Sequence, residues 1–141
     1  MFVTLIVGIL DLETGILKLC NAGHNPPILI YPDGQVSYLE FKTQIFVGVV
    51  EDFKYSDEEV VLEKESKLFL YTDGVTEAEN INKELYGEEK LLEMLSDNAS
   101  SDVRTTVNVV VDSIASHVKE AESSDDLTVL LIQYEPGTAN S

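Results

Sequence analysis

The feature that most constrains this fold is an apolar run that ends at an aspartate-glycine pair. Residues 68–71 are all apolar, which is typical of a short strand buried on both faces, and Asp73 and Gly74 follow almost directly. A carboxylate at the end of a buried strand is costly to leave without a partner, and a cation is the natural partner. A second aspartate pair, within 124–126, precedes the apolar run 127–132. We therefore expect two strand ends that each present an aspartate.

Length and composition predict one globular unit. The chain has 141 residues, of which 44% are hydrophobic, enough for a single core but too short for two ordinary domains. We place the domain at 1–134. Residues 135–141 are polar and contain Pro136 and Gly137, so we expect a flexible tail there.

Charge and cysteine content narrow the possible partners. The net charge of -17, from 26 acidic and 9 basic residues, would repel nucleic acid and anionic membrane surfaces and would attract cations. Cys20 is the only cysteine, which excludes an internal disulfide and a cysteine-rich zinc site. No apolar run approaches the roughly 20 residues that span a bilayer, and the start of the chain lacks a basic secretion signal. We therefore expect a cytoplasmic protein.

The strand pattern predicts a series of β-hairpins. Each pairs two apolar runs across a short polar turn: 2–10 with 16–20, 28–31 with 36–41, and 59–63 with 67–71. Between the second and third hairpins, residues 42–56 have a looser pattern and are predicted to form an extended loop. The run 127–132 is predicted as a closing strand.

Two helices are predicted between the third hairpin and the closing strand. Residues 87–96 carry leucines on one side and two glutamates in the first turn, where acidic groups suit the helix dipole. The second helix is valine-rich, but its apolar residues recur every three or four positions from Val103 to Val118, and Ser101 or Asp102 can cap its start. Strands followed by grouped helices and a returning strand argue for a layered α+β fold.

Several motifs, taken together and in order, resemble one protein family. They are Asn21-Ala22-Gly23-His24-Asn25-Pro26-Pro27, Gly48-Val49, the segment from Leu70 to Ala78, Tyr86-Gly87, and Ser124-Asp125-Asp126-Leu127-Thr128. The chain resembles the stage II sporulation protein E-like phosphatases, the bacterial branch of the metal-dependent type-2C serine/threonine phosphatases. Each motif alone is weak, but five in register are specific, and they span nearly the whole chain.

The resemblance implies a sandwich of mainly antiparallel sheets with flanking helices and a two-metal site, usually manganese or magnesium. It implies that Asp73 and Asp125 are metal ligands, with Asp126 as a neighbour that orients water or also contacts the metal. Gly74 would let the metals lie close to the chain. The loop with His24 and Asn25 would lie at the edge of the site. No catalytic side chain is implied beyond the metal-held water.

The family's complete domain also has first strands, acidic glycine-rich motifs and a long helix upstream of the segment that corresponds to 2–10. This chain lacks them, so we expect it to be the C-terminal part of a phosphatase domain, with weak or no activity of its own. The substrate implied by the resemblance is a phosphorylated regulatory protein of the anti-sigma-factor antagonist type.

The candidate site residues and the function each have an alternative explanation. Asp73 could be an ordinary turn aspartate, and Asp125 and Asp126 could simply cap or terminate the connection from helix to strand. His24 is expected to bond to neighbouring backbone rather than act in catalysis. A different function class is a non-catalytic interaction module that uses the phosphatase scaffold. Its uncovered sheet edges would favour a homodimer. An unrelated acidic cation-binding domain is disfavoured because no calcium-loop spacing is present.

Overall fold

The structure is a computed structural model that describes residues 1–119, 121 and 126–137. Within these ranges the chain forms eight strands and three helices. In order they are β1 (Leu5–Leu10), β2 (Ile16–Ala22), β3 (Ile28–Ile30), β4 (Val36–Tyr38), β5 (Thr43–Gln44), β6 (Glu58–Val61), β7 (Lys67–Tyr71), α1 (Asp73–Thr76), α2 (Glu88–Asp97), α3 (Val103–Val118) and β8 (Val129–Gln133). The part of the expected tail at 138–141 lies outside the described residues.

The first sheet is built around β2, which pairs with three other strands. It runs antiparallel to β1 and β6 and parallel to the short strand β5. The turn between β1 and β2 is closed by the Asp11 carboxylate, which accepts hydrogen bonds from the backbone amides of Thr14 and Glu13. These amides lower the pKa of Asp11. The predicted first hairpin is therefore confirmed.

The second sheet has the order β4-β3-β7-β8, and all its pairs are antiparallel. Its β7 strand is the one predicted to be buried on both faces. Leu68 packs between the sheets, whereas Phe69 faces the helices and is completely buried. The expectation for the apolar run 68–71 is met because alternate side chains enter two different cores.

The two sheets and the helices form three layers with two hydrophobic cores. Leu17 and Leu19 of β2 pack against Leu68 of β7 in the core between the sheets. On the other side of the second sheet, Leu95 of α2 and Ile114 of α3 pack in the core that also contains Phe69. The expected α+β sandwich of mainly antiparallel sheets with helices is confirmed.

The predicted hairpin between 59–63 and 67–71 is wrong. Strand β6 pairs with β2 in the first sheet, whereas β7 lies in the second sheet. The connecting turn, in which Ser66 N donates to Glu63 O, carries the chain from one sheet to the other. A backbone hydrogen bond from Leu62 N to Gly15 O extends the contact of β6 with the first sheet.

Both predicted helices are present, and Asp102 caps the valine-rich one. The Asp102 carboxylate accepts hydrogen bonds from the amide and hydroxyl of Thr105. A further helix of a single turn, α1, starts at Asp73 and was not predicted. None of the helices in the described ranges is long and apolar enough to cross a membrane.

Candidate metal centre

A polar cleft of about 250 Å³ lies where the ends of β2, β7 and the chain before β8 come together. Loops from both sheets contribute to it, so the sandwich itself brings these distant segments into one place. The lining residues are Thr4, Gly23, His24, Asn25, Thr72, Asp73, Asp126 and Thr128. Four residues of the predicted site therefore share one cleft: His24, Asn25, Asp73 and Asp126.

Asp73 stands at the mouth of the cleft, on the first turn after β7. It is the first residue of α1 and its side chain is exposed. Its Oδ1 accepts a hydrogen bond of 2.7 Å from Asn25 Nδ2, although the two residues lie 48 positions apart. Tyr71, just before this turn, offers no anionic ligand at neutral pH because burial, with the neighbouring Tyr38, raises the pKa of its hydroxyl.

The loop that carries Asn25 is held from inside by Asn21. The Asn21 side chain is almost fully buried, donates to His24 O at 2.9 Å and accepts from His24 N at 2.8 Å. The His24 ring makes its hydrogen bond through Nδ1 to the neighbouring carbonyl of Asn25, at 3.1 Å. The expectation that His24 bonds to nearby backbone is therefore met.

Two threonines connect the end of β7 to the segment before β8. Thr72 N donates to Thr128 O and Thr128 N donates to Thr72 Oγ1, both at 3.1 Å. The Thr72 hydroxyl in turn donates to the carbonyl oxygen of Asp126 at 3.4 Å. These bonds continue the β7–β8 pairing by one residue pair and place the Asp126 backbone beside the start of α1.

Gly74 is required by the close approach of this second segment. The residue is buried, and a Cβ atom built on it would lie 2.3 Å from the carbonyl oxygen of Asp126. No side chain fits at that distance unless one backbone moves. Gly74 was expected to make room for metals, and in the structure its nearest neighbour is the Asp126 backbone.

The donor atoms in the cleft fit a hard divalent cation. Carboxylate, hydroxyl and carbonyl oxygens are the ligands that Mg²⁺ and Mn²⁺ prefer, and water completes their coordination. Asp125 lies outside the described residues, so its closeness to Asp73 stays a prediction. Within the described ranges, no three or more histidine, cysteine, aspartate or glutamate residues form a cluster that could hold a metal. Asp73 and Asp126 alone would leave most of the shell to water.

Some of the cleft was beyond sequence reasoning. The loop of His24 and Asn25 was predicted as a site edge, but nothing indicated the hydrogen bond from Asn25 to Asp73. Thr4 carries no sequence signal at all. Thr72 and Thr128 could have been noticed because each lies next to or near an aspartate of a motif.

A larger acidic groove of about 720 Å³ lies beside α2. Its lining includes Glu77, Glu88, Glu89 and Glu93. These glutamates would attract cations non-specifically, since they add to the acidic charge of the chain. The groove shares no lining residue with the cleft of Asp73.

Comparison with known proteins shows which family and which folds this chain resembles. The family model described as Stage II sporulation protein E (SpoIIE) matches residues 1–135. The phosphoserine phosphatase RsbP of Bacillus subtilis is 28% identical over 124 residues, which cover 87% of this chain and 28% of RsbP.

Two solved structures have similar folds. The RsbU and RsbW domains of Rv1364c from Mycobacterium tuberculosis align with a TM-score of 0.74 at 25% identity, covering 96% of this chain and 37% of the other. The manganese-presoaked phosphatase domain of SpoIIE from Bacillus subtilis aligns with a TM-score of 0.72 at 16% identity, covering 96% of this chain and 58% of the other. The chain spans between 20% and 39% of the length of the curated relatives that it matches.

Proposed function

Because the chain belongs to the stage II sporulation protein E (SpoIIE) family, we propose that it carries part of a metal-dependent phosphatase site that hydrolyses phosphoserine or phosphothreonine on a regulatory protein. The observation that carries the proposal is the shared cleft, in which Asp73 and Asp126 lie with Asn25 and three threonines. Metal-assisted hydrolysis of a phosphate ester requires ligands that hold the ions, and the cleft offers oxygen atoms for this purpose.

The candidate site residues have distinct roles in this proposal. Asp73 and Asp125 bind the cations, and Asp126 orients water or adds a ligand. When bound, the pair of Mn²⁺ or Mg²⁺ ions supplies activation of the attacking water and neutralises charge on the phosphate. Thr72 holds the two segments together through its bonds to Thr128 and Asp126.

The activity of the isolated chain is proposed to be weak or absent. Two described carboxylates leave most of an octahedral shell to water, which limits cation affinity. The net charge of -17 also opposes the approach of a phosphate group to the metal-free cleft. The curated relatives are longer than this chain. The activity of any longer protein that contains this chain is therefore part of the same proposal.

The proposed substrate is a phosphorylated anti-sigma-factor antagonist in the cytoplasm. The similarity to RsbP, named a phosphoserine phosphatase, supports a phosphoserine protein as substrate. We also propose that the chain forms a homodimer through the uncovered part of its first sheet, where Val7 and Ile9 of β1 are exposed.

The test measures Mn²⁺ affinity by calorimetry and Mn²⁺-dependent hydrolysis of a phosphoserine peptide on the same samples. We expect Asp73→Asn to lower the Mn²⁺ affinity by about tenfold or more, since it removes a charged ligand and even the loss of a partner that only orients a ligand typically costs about 10- to 100-fold. It should also abolish any hydrolysis that the chain shows. Asp112→Asn is the matched control because Asp112 is an exposed aspartate on α3, away from the cleft. Equal Mn²⁺ binding by Asp73→Asn and the unchanged chain would refute the proposal.

A further inference from the structure

One side-chain hydrogen bond joins the two sheets at the mouth of the cleft. Asn25, on the loop after β2, donates from Nδ2 to Oδ1 of Asp73, which follows β7, at 2.7 Å. Among the described residues, Asn25 is the hydrogen-bond donor that holds the Asp73 carboxylate. Asp73 is otherwise exposed, so without Asn25 its side chain would be free to change rotamer.

The loop presents Asn25 from a rigid base. Asn21 holds both the amide and the carbonyl of His24 with its buried side chain. After Asn25 come Pro26 and Pro27, whose rings fix their own backbone angles and restrict the residue before them. Pro27 is buried, and its carbonyl accepts a hydrogen bond from Leu39 N at 2.8 Å. The Asn25 amide is therefore held in place before any ligand arrives.

We propose that Asn25 is a positioning residue for the cation site: by holding one carboxylate oxygen of Asp73, it orients the other oxygen for a divalent cation. This inference rests on the proposed function, since it assumes that Asp73 binds a cation. It goes beyond that function because it assigns a role to a residue of the loop after β2.

The chemistry of an amide suits this role. A neutral donor orients a carboxylate without cancelling its charge, whereas a lysine or arginine at the same place would repel the cation and compete for the aspartate. The chain attracts cations without any contribution from Asn25, because it contains 26 acidic and 9 basic residues. What a surface aspartate lacks is a fixed geometry, and partners that orient metal ligands typically change metal affinity by about 10- to 100-fold.

The test compares Mn²⁺ affinities of Asn25→Leu and Asn25→Ala with that of the unchanged chain by calorimetry. Leucine keeps the branched shape of asparagine but has no hydrogen-bond donor. If both variants lose the same Mn²⁺ affinity, the loss is due to the missing hydrogen bond and not to altered packing. We expect both to weaken Mn²⁺ binding by about tenfold, the lower end of the range for such partners because the site is exposed. Asn82→Ala is the matched control, since Asn82 is an exposed loop asparagine that lines a different surface pocket. It should bind Mn²⁺ like the unchanged chain.

A double variant separates positioning from a general structural effect. In the Asp73→Asn background, Asn25→Leu should cause no further loss of Mn²⁺ affinity, because there is no longer a carboxylate to orient. Unchanged Mn²⁺ binding by Asn25→Leu, with Asp73→Asn weakened, would overturn the inference and leave the proposed function standing. An equal loss in both backgrounds would also overturn it. If Asp73→Asn itself binds Mn²⁺ normally, the proposed function fails and the inference fails with it.

Discussion

Gly74 brings the chain after β7 into contact with the segment before β8. A Cβ atom at position 74 would lie only 2.3 Å from the carbonyl oxygen of Asp126, which is closer than two such atoms can approach. The contact lies next to Asp73, so the shape of the cleft depends on the absence of a side chain at this one position.

We therefore expect Gly74→Ala to destabilise the protein. Alanine in a helix is favoured over glycine by about 1 kcal/mol, but forcing a methyl group against backbone costs about 1–3 kcal/mol, so the clash should outweigh the gain. Urea denaturation measures the difference. Gly137→Ala is the control, because a Cβ there would meet no atom within 4 Å. A Gly74→Ala variant as stable as the unchanged chain would show that the Asp126 segment can move away.

At the residue scale, sequence predicts what is local and misses what is distant. The place of Asp73 at the end of a buried strand was identifiable because the apolar run, the aspartate and the glycine are adjacent, whereas its role as a metal ligand stays a prediction. Its hydrogen bond to Asn25 joins residues 48 positions apart, and it depends on how two loops meet, which no local pattern records.

Helix α3 shows that spacing can outweigh propensity. Its valines favour a strand, yet Val110 and Ile114 are buried on one face while Val111 is 36% exposed. The period of three and four therefore predicted the helix correctly. The two alternatives for its cap, Ser101 and Asp102, could not be separated by sequence because both residue types cap helices.

The Asp102 cap predicts a pH-dependent contribution to stability. The Thr105 hydroxyl, followed by its backbone amide, lowers the pKa of Asp102 from its usual 3.8. The stabilisation is therefore present above pH 3.8 and is lost as the pH falls through the lowered value.

Thermal melts at pH 7 and pH 3 test this cap. Asp102→Ala should melt below the unchanged chain at pH 7, and the gap should narrow at pH 3. Ser101→Ala is the control and should melt like the unchanged chain at both values. A gap for Asp102→Ala that is as wide at pH 3 as at pH 7 would contradict the prediction.

Strand pairing was less predictable than strand position. Segments 59–63 and 67–71 both have strand patterns and a short turn between them, which normally indicates a hairpin. In a sandwich, a short turn can also pass from one sheet to the other. The choice depends on which strand lies beside Ile16–Ala22, and this is a property of the whole fold.

On the scale of the whole molecule, the two sheets differ in how they are covered. The outer face of the second sheet is packed by α2 and α3. The outer face of the first sheet exposes the apolar residues Leu5, Val7, Ile9 and Val61, each between 46% and 70% exposed. Exposed apolar residues on one face of a sheet favour association, although the Lys18–Glu59 ion pair lies on the same face. The layered class was predictable from element order, but this asymmetry required the structure.

We expect the chain to self-associate through this face. Ile9→Glu should raise the dissociation constant of the dimer by about tenfold or more, since burial of one isoleucine contributes about 1.5–3 kcal/mol. Ile9 lies opposite Lys18, which already pairs with Glu59 at 2.9 Å and would place a positive charge beside the new carboxylate within the monomer. Ile81→Glu is the control, because Ile81 is 74% exposed on a separate loop. Sedimentation velocity over a concentration series measures the dissociation constants of the unchanged chain and of both variants. If the unchanged chain is a monomer at every concentration, the dimer is excluded.

The most direct test of the cation site is paramagnetic broadening of backbone amide NMR signals by substoichiometric Mn²⁺. The account predicts that Asn25, Thr72 and Thr128, which line the Asp73 cleft, broaden first. Broadening that instead begins at Glu88 and Glu89, in the larger acidic groove, would show that cations gather by charge alone and would contradict the assignment of the site.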